Sequence, residues 1–430
     1  MKNDLKNKII YQVYVRNFTK EGTFKGVTDK LDYIKSLGTD ILYLLPINPI
    51  GKTDRKGKLG CPYSIKNYLK INKELGTLDD FKNLIDQTHK KDMKLIIDIV
   101  FNHTSKDSFL LKNHPEWFYK NKEGEIVSKC EDRTDVVDLN YENNNELVIY
   151  LIDVIKYYID LGVDGFRFDV ASLVGKNFYQ AMKREILSKN PNLVLIGECI
   201  DSDFINLMRS RGHQVLSDAE LYELGFDLLY EYPSWWFLKG YLETNNSELL
   251  TKYKVLKNYE STFNPQYGLR IRGIENHDQK RLCEFSSSKV YQRNLAAFSF
   301  FSVGPAFVYN GLETKADHHL SLFDKDVLDL SIDQERYEFI LTLLKIKKEN
   351  FNLNILLTET ETVKGSYILQ KNYFNDEVFD IGVFILGGEE GVIISKILKD
   401  GKYLNLLDHK EIVIKNNLIT TKEPLYLRKI

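Results

Sequence analysis

The segment GVDGFRFDVAS, residues 162–172, has an arginine inside a largely apolar run and a carboxylate directly after it. Arg167 interrupts the run from Val163 to Phe168, and Asp169 follows it. Burying an unpaired charge in a packed strand is costly, so we expect the two side chains to pair. The pair could be a purely structural ion pair at a strand end, or it could belong to a catalytic site.

Other acidic and basic residues also follow short apolar runs. LIIDIV leads into FNHT, IGE ends on a carboxylate, and IENHD closes a later run, which gives Asp98, His103, Glu198, His277 and Asp278. If these runs are neighbouring parallel strands, their ends meet at one edge of the sheet, where the side chains could form a single site.

Such a set of carboxylates is suited to the cleavage of glycosidic bonds. One carboxylic acid protonates the leaving oxygen while a carboxylate acts at the anomeric carbon, with the two groups about 5–5.5 Å apart in a retaining mechanism. Arg167, two residues before Asp169, points to the same side of the strand and would keep Asp169 ionised. The apolar run before Glu198 would favour the protonated carboxyl that a general acid needs.

The elements that must position these residues form a repeating unit: an apolar run, a loop and a helical stretch. Eight such runs precede residue 351, at 9–15, 41–45, 94–100, 163–168, 193–196, 213–216, 269–274 and 306–309. This pattern predicts an α/β fold of the (β/α)8 TIM-barrel type.

Two segments depart from the repeat. Residues 103–140 break the period and are predicted to be a short inserted subdomain after strand 3, so the barrel comprises residues 1–102 and 141–350. Residues 351–430 alternate short apolar runs with turn signals, which predicts a small C-terminal all-β, sandwich-like domain.

Composition excludes several classes of protein. A net charge of −2 over 430 residues offers no field for nucleic acid or an anionic membrane. No apolar run reaches the roughly 18 residues of a membrane helix, and the start MKNDLKNK lacks the apolar run of a signal peptide. The four cysteines are scattered without CxxC spacing, which favours reduced thiols in a cytoplasmic protein and no cysteine metal site.

The segments DIVFNH, GFRFDV, IGE and ENHD resemble, in this order, the four signature regions of the α-amylase family, glycoside hydrolase family 13. VVDLN, residues 136–140, resembles the fifth. The resemblance implies that Asp169 is the nucleophile, Glu198 the general acid/base, and Asp278 the residue that binds and distorts the sugar.

The same resemblance assigns residues around that sugar. Arg167, His103, His277 and Tyr63 match the family's substrate-binding residues, and Asp98 would support Arg167. As alternatives, each histidine could be a structural hydrogen-bonding group and Tyr63 could only pack.

Several other residues have a more modest interpretation. The pairs Trp117–Phe118 and Trp235–Trp236 could stack on a glucan, but packing is favoured. His318 and His319 show no ligand spacing and are expected to face solvent.

The family's calcium site would use Asn102 and a Lys–His pair after the nucleophile. Here Val170, Ala171 and Ser172 follow Asp169 instead. Because calcium takes six or more oxygens, we expect no structural calcium and predict no cofactor.

The resemblance implies an α-glucosidic substrate but leaves the acceptor open. With water the enzyme would be a hydrolase of α-1,4-linked malto-oligosaccharides, maltodextrin or glycogen, and with a sugar hydroxyl it would be a glucanotransferase. The loop at residues 51–60, with Arg55 and Lys56, is either a solvated surface loop or an anion site, since a similar loop occurs in family members that use maltose 1-phosphate. A third hypothesis is an inactive glucan-binding member, which the presence of all three carboxylates disfavours.

Overall fold

The computed structural model describes residues 3–130, 133–263, 269–349, 355–363, 365–373, 379–387 and 391–430. The chain divides into two compact units. The N-terminal unit consists of Ile10–Tyr230 and Leu320–Asp329, and the C-terminal unit of Met1–Ile9, Glu231–His319 and Leu330–Ile430.

The first eight strands lie almost wholly in the N-terminal unit. They are β1 Ile9–Val13, β2 Ile41–Leu44, β3 Lys94–Ile99, β4 His103–Ser105, β5 Val136–Asp138, β6 Gly165–Phe168, β7 Val194–Gly197 and β8 Leu228–Tyr230. β1 and β2 are buried along their whole length, as expected for parallel strands covered on both faces.

Among the described residues, nine α-helices accompany these strands. They are α1 Val15–Phe18, α2 Phe24–Thr28, α3 Leu31–Ser36, α4 Leu78–His89, α5 Phe109–Asn113, α6 Asn145–Asp160, α7 Lys176–Met182, α8 Ser202–Ser210 and α9 Asp218–Glu223. A π-helical stretch, Lys183–Leu187, continues α7. Thr77 caps α4 in a reciprocal capping box with Asp80.

In the part of the C-terminal unit that the structure describes, five α-helices and ten strands follow. The helices are α10 Tyr232–Thr244, α11 Ser247–Phe263, α12 Leu282–Phe285, α13 Lys289–Phe301 and α14 Gln334–Glu349. The strands are β9 Leu269–Ile271, β10 Ala306–Tyr309, β11 Ile355–Val363, β12 Ser366–Tyr373, β13 Phe379–Ile385, β14 Gly391–Ile394, β15 Gly401–Asn405, β16 Glu411–Ile414, β17 Leu418–Thr421 and β18 Leu425–Lys429.

The principal sheet has eight strands in the order β10-β1-β2-β3-β6-β7-β8-β9. This is a cyclic permutation of the chain order, as in a (β/α)8 barrel, so the predicted fold class is confirmed. The last part of the chain is all-β, also as predicted: a six-stranded sheet in the order β11-β12-β13-β18-β15-β16 and a two-stranded sheet of β14 and β17. Its core includes Ile368, Ile381, Tyr403 and Leu427.

One predicted strand is wrong. Residues 213–216 form no strand, and the sixth strand of the principal sheet is β8, whose Leu228 pairs with Ile196 of β7. The apolar character of the earlier segment serves side-chain packing instead, because Val215 lies in a buried cluster with Leu173 and Met208.

Register in the parallel strands determines where the charged residues lie. Asp98 of β3 is aligned with Arg167 of β6, and Phe168 is aligned with Gly197 of β7. The residues that follow, Asp169 and Glu198, therefore leave neighbouring strands at the same level. β4 and β5 form a separate antiparallel pair within the predicted inserted segment. Over the described part of the chain, no helix is long and apolar enough to cross a membrane.

Candidate active site

Arg167 is the centre of a charge cluster at the carboxyl ends of β3, β6 and β7. Its side chain is 0% exposed, and its Nη1 lies 3.0 Å from Asp98 Oδ1 and 3.0 Å from Asp169 Oδ1. Nη2 lies 3.0 Å from Glu198 Oε2, an ion-pair contact without hydrogen-bond alignment. One guanidinium thus contacts three carboxylates, which provides the opposite charge that a buried cation requires.

The surroundings hold Arg167 permanently in its charged form. Burial by itself would lower the pKa of Arg167, but the nearby charge of Asp98, together with Tyr43 and Glu198, raises that pKa well above its ordinary value. The guanidinium is therefore a fixed positive charge beside the carboxylates at every pH at which the protein is folded.

Asp98 connects this cluster to two tyrosines. The hydroxyl groups of Tyr43 and Tyr63 donate to Asp98 Oδ2 at 2.7 and 2.8 Å. Burial, followed by the charge of Asp98, raises the pKa of Tyr43 well above its ordinary value, so this phenol stays a protonated donor. The rings of Tyr63 and Tyr230 lie 5.7 and 5.3 Å from the Arg167 guanidinium carbon, within cation–π range.

A left-handed residue joins the two carboxylates at the strand ends. Val170, directly after Asp169, has φ 43° and ψ 48°, a region that a β-branched residue rarely adopts. In this conformation its backbone N–H donates to Glu198 Oε2 at 2.8 Å. Strain of this kind persists where the surrounding structure fixes it, most often at functional sites.

Asp169 and Glu198 lie close enough together to act on one bond. Because their oxygens contact the two terminal nitrogens of the same planar guanidinium, the carboxyl pair falls below the roughly 9.5 Å upper limit of glycosidase pairs. Their side chains are 9% and 15% exposed, whereas Asp98 is wholly buried. Asp169 and Glu198 are therefore accessible to a substrate, and Asp98 is not.

His103 lies beside Asp169 as a neutral side chain. Its Nε2 is 3.9 Å from Asp169 Oδ2, a distance that would suggest an ion pair. Burial, reinforced by the charge of Arg133, lowers the pKa of His103 to about 4, so the ring is uncharged at neutral pH. The side-chain nitrogen of Asn102 is 3.1 Å from His103 Nδ1. With that amide nitrogen as the donor, the imidazole proton is assigned to Nε2, on the side of Asp169.

This buried histidine makes stability depend on pH. Because the folded pKa of about 4 lies below the unfolded value of 6.5, the unfolded chain binds more protons between these values. The free energy of unfolding should therefore fall as the pH drops through this window, by about 2 kcal/mol between pH 7 and pH 5. In urea titrations at the two pH values, His103→Asn should lack this part of the loss. His409→Asn, at an exposed position, should retain it, and equal losses in both variants would contradict the assignment.

Removing the central cation should destabilise the protein. Arg167→Met keeps most of the side-chain volume but leaves Asp98 buried without a positive charge, so we expect a loss of about 3–5 kcal/mol in the free energy of unfolding. Urea denaturation measures this loss. Arg184→Met, at a side chain 70% exposed, should change stability by less than about 0.5 kcal/mol. A similarly small effect at Arg167 would show that the cluster is not a buried ion network.

A second group of predicted site residues lies in the loop after β9, in the C-terminal unit. Asp278 Oδ2 lies 3.1 Å from His277 Nε2 and accepts from the Tyr232 hydroxyl at 3.3 Å. Tyr232 in turn accepts from Asn276 Nδ2 at 3.1 Å. His277 is buried, whereas the Asp278 side chain is 37% exposed, so the carboxylate is held by its neighbours and still reaches solvent.

Two expectations about this unit need correction. His319 does not simply face solvent, because its Nε2 lies 2.6 Å from the His277 carbonyl oxygen. His318 is exposed, as expected. Packing is confirmed for Trp117, Phe118 and Trp235, which are buried. It is wrong for Trp236, which is 47% exposed with its ring 6.4 Å from that of Tyr232.

Five residues that contact the predicted site residues were not predicted from the sequence to do so: Tyr43, Tyr230, Tyr232, Asn276 and His319. The only available signal was at the two strand tyrosines, since a buried hydroxyl needs a partner.

The residues near Asn102 do not suit calcium. Its buried Oδ1 has no hydrogen-bond partner among the described residues, yet these residues contain no group of three His, Cys, Asp or Glu side chains arranged for a metal. One orphaned oxygen is far short of the six or more that calcium takes.

Comparison with known families agrees with this geometry. Residues 6–123 and 112–352 match the profile of the alpha amylase catalytic domain, and residues 355–427 match the bacterial alpha amylase C-terminal domain. Among curated proteins, an oligo-1,6-glucosidase from Heyndrickxia coagulans is 26% identical, over 80% of this chain and 73% of that protein. A maltosyltransferase from Picrophilus torridus that is named for α-1,4-glucan and maltose 1-phosphate is 28% identical over 80% of this chain. The chain spans about half of that protein, 51% of its length.

Solved structures extend the similarity to the whole chain. An alpha-amylase from Lactobacillus plantarum is 37% identical with a TM-score of 0.91, and all of both chains is covered. A noncanonic maltogenic alpha-amylase from Thermotoga neapolitana is 27% identical with a TM-score of 0.84 over 99% of each chain. The chain therefore belongs to the α-amylase family, glycoside hydrolase family 13.

Proposed function

We propose that the protein is a retaining α-glucosidic hydrolase that acts on α-1,4-linked malto-oligosaccharides, maltodextrin or glycogen. The observation that carries this proposal is the pair of partly exposed carboxylates, Asp169 and Glu198, which contact one buried guanidinium from neighbouring strand ends. The full-length similarity to the Lactobacillus plantarum alpha-amylase supports the α-glucan substrate class.

In the first step, Asp169 attacks the anomeric carbon while Glu198 protonates the glycosidic oxygen. The bond to the leaving sugar breaks and a covalent glycosyl-enzyme forms on Asp169. In the second step, Glu198 removes a proton from water, which attacks the anomeric carbon and releases Asp169. Two inversions give a product with retained configuration.

The charge balance of the cluster favours these roles. Arg167 contacts all three carboxylates, and the charge of Arg133 also acts on Asp169 and Glu198. Asp98 is fully buried and accepts from two tyrosines and Arg167, which suits a permanently ionised support. Asp169 shares Nη1 of Arg167 with it. Glu198 is the most exposed of the three and is suited to exchange its proton with substrate and water.

The remaining predicted residues are proposed to bind the sugar undergoing cleavage. Neutral His103 would donate from Nε2 to a sugar hydroxyl, and Tyr63, whose ring lies 5.7 Å from the Arg167 guanidinium carbon, would contact the sugar with that ring. Asp278, held by His277 and Tyr232, would accept from a pair of hydroxyls and so oppose the relaxed ring conformation.

A glucanotransferase is the second candidate, since transfer uses the same covalent intermediate. The similarity to the Picrophilus torridus maltosyltransferase favours it, and a phosphorylated donor would require a cationic site. In the loop at residues 51–60, Lys56 Nζ lies 3.5 Å from the buried Asp135 carboxylate, which already offsets its charge. This contact favours the hydrolase over a phosphate-dependent transferase. An inactive glucan-binding member is a remote third candidate.

Product analysis with maltotriose tests the proposal. A hydrolase releases only maltose and glucose, whereas a transferase also produces chains longer than three glucose units. Products longer than maltotriose would show that the enzyme is a transferase and not a hydrolase. A requirement for phosphate or for maltose 1-phosphate would show that the donor is phosphorylated. If no α-glucan were turned over, the protein would be an inactive glucan-binding member of the family. The predicted cytoplasmic location is part of this proposal, and cell fractionation tests it.

A further inference from the structure

A cavity of about 350 Å³ lies in the N-terminal unit, apart from the Arg167 cluster. Its walls come from the inserted segment, the chain after β5, the chain between β6 and α7, and the chain after α8. The volume falls within the roughly 300–1,000 Å³ of small-molecule sites. None of the residues predicted from the sequence to act in catalysis or substrate binding lines it.

One wall of the cavity is aromatic and polar at once. The ring of Tyr119 meets the His213 ring edge-on, with centroids 5.4 Å apart at 79°. Lys129 Nζ lies 5.6 Å from the centre of the Tyr119 ring. Tyr141 adds a buried ring whose hydroxyl is already engaged with the Phe101 carbonyl oxygen at 2.6 Å. Such a wall offers an apolar surface next to hydrogen-bonding groups, as the ring and hydroxyls of a sugar require.

The ammonium group of Lys129 can donate more hydrogen bonds than the one weak contact described for it. An ammonium group has three donors, and the contact described for this one is with the Leu139 carbonyl oxygen at 3.5 Å, the limit of a hydrogen bond. Because the side chain is only partly exposed, water does not surround the group as it would at a surface. The ammonium therefore suits an oxygen-rich ligand in the cavity.

The lining is balanced in charge. Lys120 and Lys129 are offset by Glu116 and Glu142, so the cavity has no excess of positive charge for a phosphate. This balance favours an uncharged, hydroxyl-rich ligand.

The cavity also lies near Asp169 along the chain. Leu173, which lines it, is four residues after Asp169, so their Cα atoms are within about 15 Å of each other. A ligand that extends from the carboxylates by a few sugar units could reach this distance.

We propose that this cavity binds a glucosyl unit of an α-glucan at a distance from the bond that is cleaved, and so sets a preference for longer chains. The identity of the ligand rests on the proposed function. Tyr119 supplies the apolar contact, and Lys129 and His213 supply hydrogen bonds to hydroxyls.

Calorimetric titration with maltotriose and maltoheptaose tests the inference in protein carrying Glu198→Gln, which prevents turnover. Adding Tyr119→Ala should raise the Kd for maltoheptaose about tenfold and that for maltotriose less than twofold. Lys129→Met, which keeps the apolar stem, should give the same selective loss. Tyr259→Ala, at a tyrosine 56% exposed on α11, should change neither Kd.

The inference would be overturned if Tyr119→Ala weakened the binding of both sugars equally or left the Kd for maltoheptaose unchanged. It would also be overturned if the protein with Tyr119 intact did not bind maltoheptaose. Failure of the proposed function is a separate result. It would appear as absence of glucan turnover by the unmodified protein, while selective, Tyr119-dependent binding of maltoheptaose would still support the cavity.

Discussion

Asp169→Asn is expected to lower the rate of maltoheptaose cleavage by about 10⁴-fold or more, because a neutral amide cannot form the glycosyl ester. The substitution keeps the shape of the side chain, and Arg167 retains its contacts with Asp98 and Glu198. The variant should therefore fold and still bind the sugar. Initial rates of reducing-end release at saturating maltoheptaose measure the effect.

Asp160→Asn is a matched control for this change. Asp160 is exposed at the end of α6, so its replacement should leave the rate within about twofold of the unmodified protein. If Asp169→Asn retained a tenth or more of the original rate while the control behaved as expected, another group would have to be the nucleophile.

Glu198→Gln should have an effect that depends on the leaving group. Cleavage of maltoheptaose, whose sugar alkoxide needs a proton, should fall by about 10²–10⁴-fold. With α-maltosyl fluoride the leaving group needs no proton, so formation of the glycosyl-enzyme should be largely preserved. The second step still lacks its base, and the intermediate should accumulate. A rapid burst of fluoride, stoichiometric with enzyme, followed by slow turnover would report this sequence.

Glu223→Gln, at an exposed position at the end of α9, controls for the loss of a carboxylate as such and should behave like the unmodified protein with both substrates. An equal loss of rate with maltoheptaose and with the fluoride would show that Glu198 does not act as the acid. In that case Glu198 would only pair with Arg167 and would not take part in proton transfer.

Much of the fold could be predicted because the strands carrying Arg167 and Asp98 are short, apolar and buried. A charge within such a strand must have a partner, and parallel neighbours with aligned register supply one. The position of Asp169 and Glu198 at adjacent strand ends follows from the same repeat of strand and helix. These features depend on local sequence patterns.

The rest depended on contacts between distant parts of the chain. Tyr43 and Tyr230 have the pattern of ordinary core residues, and only the folded structure brings their rings and hydroxyls to Asp98 and Arg167. His319 meets the His277 carbonyl 42 residues away in sequence. Residues 213–216 were predicted to form a strand, but Val215 of this segment packs with Met208 and Leu173 instead.

The proposed mechanism requires that a glucan is held covalently on Asp169 during turnover. Peptide mass spectrometry of the Glu198→Gln protein, quenched in acid after brief exposure to α-maltosyl fluoride, tests it most directly. A maltosyl ester on the peptide that contains Asp169, absent from the Asp169→Asn/Glu198→Gln double variant, is the predicted result. A sugar attached to a different residue, or an unlabelled protein despite a burst of fluoride, would contradict it.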